Sequence, residues 1–186
     1  MARCADCSPE EEHSPAPEGA IVVALAGNPN TGKSSIFNLL TGGNQHIGNW
    51  PGKTVSKAHG SFTRHDAEIQ LVDLPGTYSL NAASPEEMIA RDYLVHDRPD
   101  AVIVVADASN LERNLYLVVQ VLEIGLPTVV ALNMSDVARS RSIDIDVKGL
   151  AERLEAPVVS TVARKGQGLD DLTDAVLHLA SLGSVT

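Results

Sequence analysis

The chain has 186 residues, 44% of them hydrophobic and 20% charged, which is enough for one well-buried core and too few for two ordinary enzyme domains. Its net charge of −10 and pI near 4.9 argue against an extended nucleic-acid footprint, because such a footprint needs clustered Lys and Arg. No apolar run approaches the ~20 residues that cross a bilayer, and the N-terminus lacks a basic-then-apolar leader, so the chain as given reads as soluble and cytoplasmic.

Residues 1–19 read as a flexible acidic tail, since Pro9, Pro15, Pro17, Glu10, Glu11 and Glu12 dominate them. The only two cysteines, Cys4 and Cys7, lie there with the spacing of half a metal site or of a redox pair, and His13 is the only further ligand nearby. Free thiols in a solvated tail are the simpler reading. With no cysteine elsewhere, nothing suggests an oxidising compartment.

From residue 20 to residue 182 strand and helix patterns alternate. Ile21 to Ala26 is an apolar run that stops at Gly27, as a fully buried parallel strand does. A helix from Ser34 carries Ile36, Phe37, Leu39 and Leu40 on one face and ends near Gly42 and Gly43. Residues Gly43 to Gly52 are polar and glycine-rich and are expected to be a mobile loop. Strands follow at Thr54–Phe62 and Glu68–Leu74, with a hairpin turn at Arg64, His65 and Asp66. Ser84-Pro85-Glu86-Glu87 starts a helix to about His96: Ser84 can cap, Pro85 suits the first position and Glu87 can complete a capping box. Ala101–Ala106 is another apolar strand, and Leu115, Val118, Val119 and Leu122 mark the helix after it, which ends at Gly125. A strand at Thr128–Leu132, a helix at Asp146–Leu154, a strand at Pro157–Thr161 and a helix at Leu169–Leu182 complete the series. The alternation predicts an α/β fold: a mainly parallel, doubly wound sheet flanked by helices, with ligands at the carboxyl ends of the strands.

The strongest motif is Gly27-Asn28-Pro29-Asn30-Thr31-Gly32-Lys33-Ser34, followed by Ser35. It fits the Walker pattern and lies between a strand and a helix, the context a phosphate-binding loop requires. Backbone N–H groups at the helix start would face phosphate oxygens, Lys33 would reach the β and γ groups, and Ser34 would ligand Mg²⁺. Asp73-Leu74-Pro75-Gly76 ends a strand about forty residues later, where a carboxylate can hold the Mg²⁺ shell and the Gly76 N–H can sense a γ-phosphate. Asn133-Met134-Ser135-Asp136 closes another strand and matches the Asn-x-x-Asp guanine box. The two Asp136 oxygens can accept from guanine N1–H and N2–H₂, donors that adenine does not present. The competing reading is that Asn133 and Asp136 cap the next helix. Thr161-Val162-Ala163 resembles the fifth box of the same class, with Val162 where serine is usual, a departure that leaves GTP against ATP selectivity open.

These boxes describe a GTPase domain with a Ras-like, P-loop fold. The run Ile47-Gly48-Asn49-Trp50-Pro51-Gly52-Lys53-Thr54, together with Gly-Asn-Pro-Asn at 27–30, Asp73 to Leu80 and Asn-Met-x-Asp at 133–136, resembles the cytoplasmic GTPase domain of the bacterial ferrous iron transport protein B family. The resemblance covers roughly Ile21 to Leu182. It implies that Thr54 ligands Mg²⁺ in the triphosphate state and that a second switch runs from Gly76 to about Ala83. It also implies a longer protein, in which a helical regulatory domain and a membrane permease domain would follow residues 183–186 on the cytoplasmic side of the inner membrane. Lys53 stands where the family often has an apolar residue.

Thr77 and Tyr78 follow Gly76, so no glutamine is placed to orient an attacking water. By resemblance to potassium-activated GTPases, Asn30 with the Gly48 and Trp50 carbonyls would hold K⁺ beside the phosphates; the alternative for Asn30 is a loop-stabilising turn. Asn30, Lys33, Thr54 and Gly76 are thus the expected catalytic set. Trp50 is read as an exposed anchor, a core plug or a reporter, with packing of the switch loop favoured. His46, His59, His65 and His96 show no ligand spacing and read as surface or satisfied polar residues. Three functions remain: slow GTP hydrolysis, a nucleotide-gated binding module for a transporter, and a ribosome-associated GTPase that the acidic balance disfavours. The oligomeric state is left open.

Overall fold

The computed structural model describes residues 19–50 and 54–183. The tail with Cys4, Cys7 and His13, the tripeptide Pro51-Gly52-Lys53 and residues 184–186 lie outside the described residues. Among the described residues seven strands form one sheet in the order β2-β3-β4-β1-β5-β6-β7. In chain order they are β1 (Ile21–Gly27), β2 (His46–Asn49), β3 (Ser56–Arg64), β4 (Ala67–Asp73), β5 (Ala101–Asp107), β6 (Thr128–Asn133) and β7 (Val158–Ser160). The pairs β4-β1, β1-β5, β5-β6 and β6-β7 are parallel, whereas β2 and β3 add an antiparallel edge.

Alternation along each strand divides the core into two layers, because successive Cβ atoms point to opposite faces. Ala24, Val72, Val102, Val104 and Val130 face one layer with Ile89, Leu94, Leu117 and Val121. Val23, Leu25, Leu71, Ile103 and Val129 face the other with Ile36, Phe37, Leu172 and Val176. The second layer is covered by α1 (Lys33–Leu40) and α6 (Leu169–Gly183), and the first by α2 (Pro85–Asp92) and α3 (Leu111–Glu123). Helices on both faces leave the carboxyl ends of the strands open, and the loops bearing the motifs gather there.

Several expectations need correction. The segment read as a mobile loop contains β2, which pairs with β3 from His46 opposite His59 to Asn49 opposite Ser56. All four β2 residues are exposed, so no buried side chain signals the strand; its backbone pairing with β3 defines it. On α1, Ile36 and Phe37 are buried but Leu39 is 49% exposed. On α3 the buried stripe is Asn114, Leu117, Val118 and Val121, at helical spacing, while Val119 is 42% exposed and Leu115 and Leu122 are only partly covered. The helix expected to run to His96 changes at Tyr93 into a π-helical turn, Tyr93–Asp97, and stops at Arg98, the residue before Pro99, with φ 44°. A short helix, α4 (Ser135–Ser140), precedes α5 (Val147–Leu154) and was not expected.

Other local readings match. His65 and Asp66 take φ 49° and 63°, the two left-handed positions of a tight hairpin turn whose twist suits the strands beside it. Ser84 caps α2, accepting the Glu87 N–H at 3.2 Å. Glu87 does not return to the Ser84 N–H as a capping box would. Its carboxylate accepts instead from Ser79 Oγ at 2.8 Å and Ala83 N at 3.0 Å, so it clamps the loop before the helix.

Candidate functional site

The loop after β1 turns into α1 at Gly32, whose carbonyl accepts from the Ser35 and Ile36 N–H groups at 3.1 Å. Gly32 has φ 87°, and a Cβ there would collide with Asn133 Nδ2; glycine alone meets both demands. A Cβ on Gly27 would come to 2.7 Å from the Val105 carbonyl of the neighbouring strand. Asn30 is left-handed at φ 66°, a conformation asparagine tolerates. The loop encloses a cavity of about 380 Å³ lined by Asn28, Pro29, Asn30, Gly32, Lys33, Ser34, Ser35 and Gly76. The Walker motif and the first residue of the expected second switch therefore share one concavity at a helix N-terminus, where backbone donors favour an anion.

Lys33 is buried and its Nζ donates to Asp73 Oδ1 at 2.5 Å, bringing the charges of the first two motifs together. Burial pushes the Asp73 carboxyl above its usual range, and the Lys33 ammonium opposes that rise. Thr31 Oγ1 donates to the Asn28 carbonyl at 2.9 Å. The Asn28 side chain is buried, yet neither its Oδ1 nor its Nδ2 has a partner among the described residues. An amide buried in that way is costly unless something else satisfies it.

Asn133 does not cap the helix after it. Its Nδ2 donates to the Thr31 carbonyl at 2.8 Å, and its Oδ1 accepts from Ala163 N at 3.0 Å and Thr161 Oγ1 at 3.2 Å. One side chain, 2% exposed, thus joins the Walker loop to the loop after β7. Met134, at φ 60°, turns the chain into α4 without a side-chain cap. Ser135 Oγ completes the junction, its one hydroxyl hydrogen shared between the Leu132 and Thr161 carbonyls at 3.0 and 2.9 Å.

Asp136 stands on the first turn of α4 with Oδ1 accepting its neighbour's N–H, Val137 N, at 3.0 Å. Its Oδ2 accepts from Arg164 Nη2 at 2.5 Å, with Lys165 Nζ at 3.7 Å. The Arg164 hydrogen bond holds the Asp136 carboxyl below the usual carboxylate range. The sequence reading gives Arg164 and Lys165 no role; two adjacent cations just after the Thr161-Val162-Ala163 box are the available signal. Val162 is buried and Ala163 presents its N–H to Asn133, so the missing serine hydroxyl costs this link nothing.

Gly48, Trp50 and Thr54, in the segment that the family resemblance makes a first switch, stand apart from the cavity. Gly48 is held in β2 opposite Lys57, and Thr54 is exposed; neither they nor Trp50 line the cavity. Trp50 is 6% exposed, not an exposed anchor. It meets Tyr93 edge to face at 5.4 Å, with Lys57 Nζ 4.9 Å from its ring centroid. Of the histidines, His46 and His59 stack at 5.3 Å, His65 meets Asp174, and His96 reaches the Asp92 carbonyl. Among the described residues no group of three or more His, Cys, Asp or Glu could hold a metal ion.

A family model described as ferrous iron transport protein B matches residues 21–176. The chain belongs to this family. Similar curated members include the Fe(2+) transporter FeoB of Salmonella typhimurium, 48% identical over 160 residues, or 84% of this chain and 21% of that protein. A Porphyromonas gingivalis Fe(2+) transport protein A/FeoB fusion protein is 48% identical over 165 residues, 88% of this chain and 20% of its own length. The chain thus spans about a fifth of these curated relatives. Among solved structures, the G domain of the T. maritima FeoB iron transporter superposes with a TM-score of 0.81 at 45% identity, covering 87% of this chain and 99% of that one. A mutant S. thermophilus NFeoB bound to GDP gives 0.82 at 46% identity, covering 87% and 63%. The chain therefore has the fold of a FeoB G domain. Among its described residues no helix is long and apolar enough to cross a membrane.

Proposed function

We propose that residues 20–182 are a guanine-nucleotide-binding, slowly GTP-hydrolysing domain of a longer ferrous iron transporter, placed on the cytoplasmic face of the inner membrane before a helical regulatory domain and a permease domain. The observation that carries the reading is Asn133, whose amide joins the phosphate-binding loop to the fifth box and sets Asp136 beside them. A base recognised at Asp136 and phosphates seated above Lys33 then belong to one ligand. GDP in the S. thermophilus relative supports the same ligand.

The residues fit that nucleotide. Asn28 has a buried amide beside the cavity with no partner among the described residues, and the α1 N-terminus opens into it. Lys33 would exchange Asp73 for the β and γ phosphates, freeing the Asp73 carboxylate. Mg²⁺ neutralises charge on those phosphates when bound; Ser34, Asp73 and Thr54 are the residues to hold it, Thr54 only after the first switch closes. For K⁺ the fit is partial, since Asn30 lines the cavity while Gly48 and Trp50 do not. Closure of β2 towards Asn30 would have to complete that site, and faster phosphate release in KCl than in NaCl, lost in Asn30→Ala, tests it.

Motion of the two switches would link nucleotide state to transport. The experiment for the central claim is a calorimetric series over GTP, GDP and ATP, repeated with Asp136→Asn and xanthosine nucleotides. The unmutated protein should prefer GTP and GDP, and the variant should turn to xanthosine, because an amide donates where xanthine presents an oxygen. Equal affinity for ATP, or an unchanged preference in the variant, removes the guanine assignment.

A further inference from the structure

We infer that Arg164 is a built-in competitor for guanine: its guanidinium occupies the Asp136 carboxylate, so that a guanine base binds only by displacing it. The inference rests on the guanine-nucleotide reading of Asp136. Arg164 Nη2 and Asp136 Oδ2 are 2.5 Å apart, and Lys165 Nζ approaches the same oxygen at 3.7 Å. The other oxygen accepts the Val137 N–H. A guanine edge brings two donors, N1–H and N2–H₂, and needs the outward lone pairs of both oxygens. A guanidinium there presents donors of the same sign to the incoming base, so the two partners exclude one another.

Burial shows from which side Arg164 comes. The Asp136 side chain is 17% exposed and that of Arg164 is 70% exposed, so the cation closes over a recessed carboxylate from solvent. The backbone beneath is anchored on both sides. Ala163 N is held by Asn133 Oδ1, and Val162 and Gln167 exchange N–H to carbonyl bonds at 3.0 and 3.3 Å, closing the loop as a tight turn. Lys165 N and Gly166 N add bonds to the Val162 and Ala163 carbonyls at 2.9 Å. The loop therefore need not unfold to admit a base; only the Arg164 side chain must rotate away. An aspartate is ionised at neutral pH even without a cationic partner, its ordinary pKa being about 3.9, so the competition is between two donors and not between protonation states.

An exposed ion pair of this kind is weak and salt-sensitive. It should lower guanine-nucleotide affinity by roughly twofold to fivefold at low ionic strength and speed release by a similar factor, because the departing base is replaced at once by a tethered cation. The ion pair makes Arg164 an affinity-setting residue, and its removal strengthens binding where loss of an ordinary contact would weaken it.

The test uses a fluorescent GDP analogue with the whole chain, measuring dissociation constant and release rate at low and high KCl, with an ADP analogue alongside. Arg164→Gln, which keeps a polar amide without the charge, and Arg164→Ala should both bind the GDP analogue roughly twofold to fivefold more tightly and release it more slowly, and the gain should shrink at high salt. Arg164→Lys retains charge without the planar fork and should fall between them and the unmutated protein. If GDP affinity in Arg164→Gln and Arg164→Ala is unchanged or weaker at low salt, the competition does not exist. Absence of any GDP over ADP preference in the unmutated protein would instead overturn the guanine reading itself.

Discussion

Replacing Asn133 by alanine should cost the fold measurable stability, because three buried hydrogen bonds leave with one amide. The lost bonds are those to the Thr31 carbonyl at 2.8 Å, from Ala163 N at 3.0 Å and from Thr161 Oγ1 at 3.2 Å. Thr31, Thr161 and Ala163 are all buried, so their freed groups gain little from water. At about 1 kcal/mol for each bond, the loss comes to roughly 3 kcal/mol of stability. For a chain of this length that corresponds to a fall in Tm of roughly 6–12 °C. The Walker loop and the fifth box would also lose their tie, and GDP affinity should drop roughly fivefold, the equivalent of one such bond. Asn133→Asp should not rescue it, since a carboxylate keeps the acceptor for Ala163 but places charge against the Thr31 carbonyl. Urea denaturation checks the stability, with an unchanged m-value confirming that the folded state is comparable, and calorimetry checks the affinity. A Tm within about 2 °C of the unmutated protein together with unaltered GDP binding would refute the hub assigned to Asn133.

Lys33→Ala should abolish useful GDP and GTP affinity, since it removes the cation facing the cavity and leaves the part-buried Asp73 without its ammonium partner; calorimetry showing unchanged affinity would displace the Walker assignment. Trp50, the only tryptophan of the chain, should resist quenching by acrylamide because it is buried against Tyr93, and Tyr93→Ala should raise its quenching constant by roughly twofold or more as β2 loosens. Arg64 donates to Asp174 at 2.8 Å and to Asp170 at 2.6 Å, tying the β3–β4 hairpin to α6, and its hydrogen bond holds the Asp174 carboxyl below the usual range. A depressed carboxylate contributes stability that is present above its unfolded pKa, about 3.9, and is lost as pH falls through the lower folded value. Arg64→Ala should therefore reduce stability modestly at neutral pH and flatten its decline in strong acid; identical acid-unfolding curves would contradict that role.

Much of this protein is legible in its sequence. The apolar runs at β1, β5 and β6, the left-handed hairpin at His65 and Asp66, the Ser84 cap and the glycine pattern of 27–32 are consequences of local chemistry: strand burial, turn geometry and helix capping act within a few residues. The loops they position follow from the alternation of strands with helices, which brings the carboxyl ends of parallel strands together. What the tertiary structure decided involves partners far apart in sequence. Sheet order seats β1 between β4 and β5, and that arrangement sets Lys33 against Asp73, 40 residues away, and Asn133 against Thr31, 102 residues away. β2 exists because β3 supplies hydrogen bonds along an exposed edge, and Trp50 is buried because the π-helical turn at Tyr93 meets it. Arg164 reaches Asp136 for the same reason: β6 and β7 lie side by side, and two loops that leave adjacent strands place opposite charges within reach, a proximity no local pattern of either segment encodes.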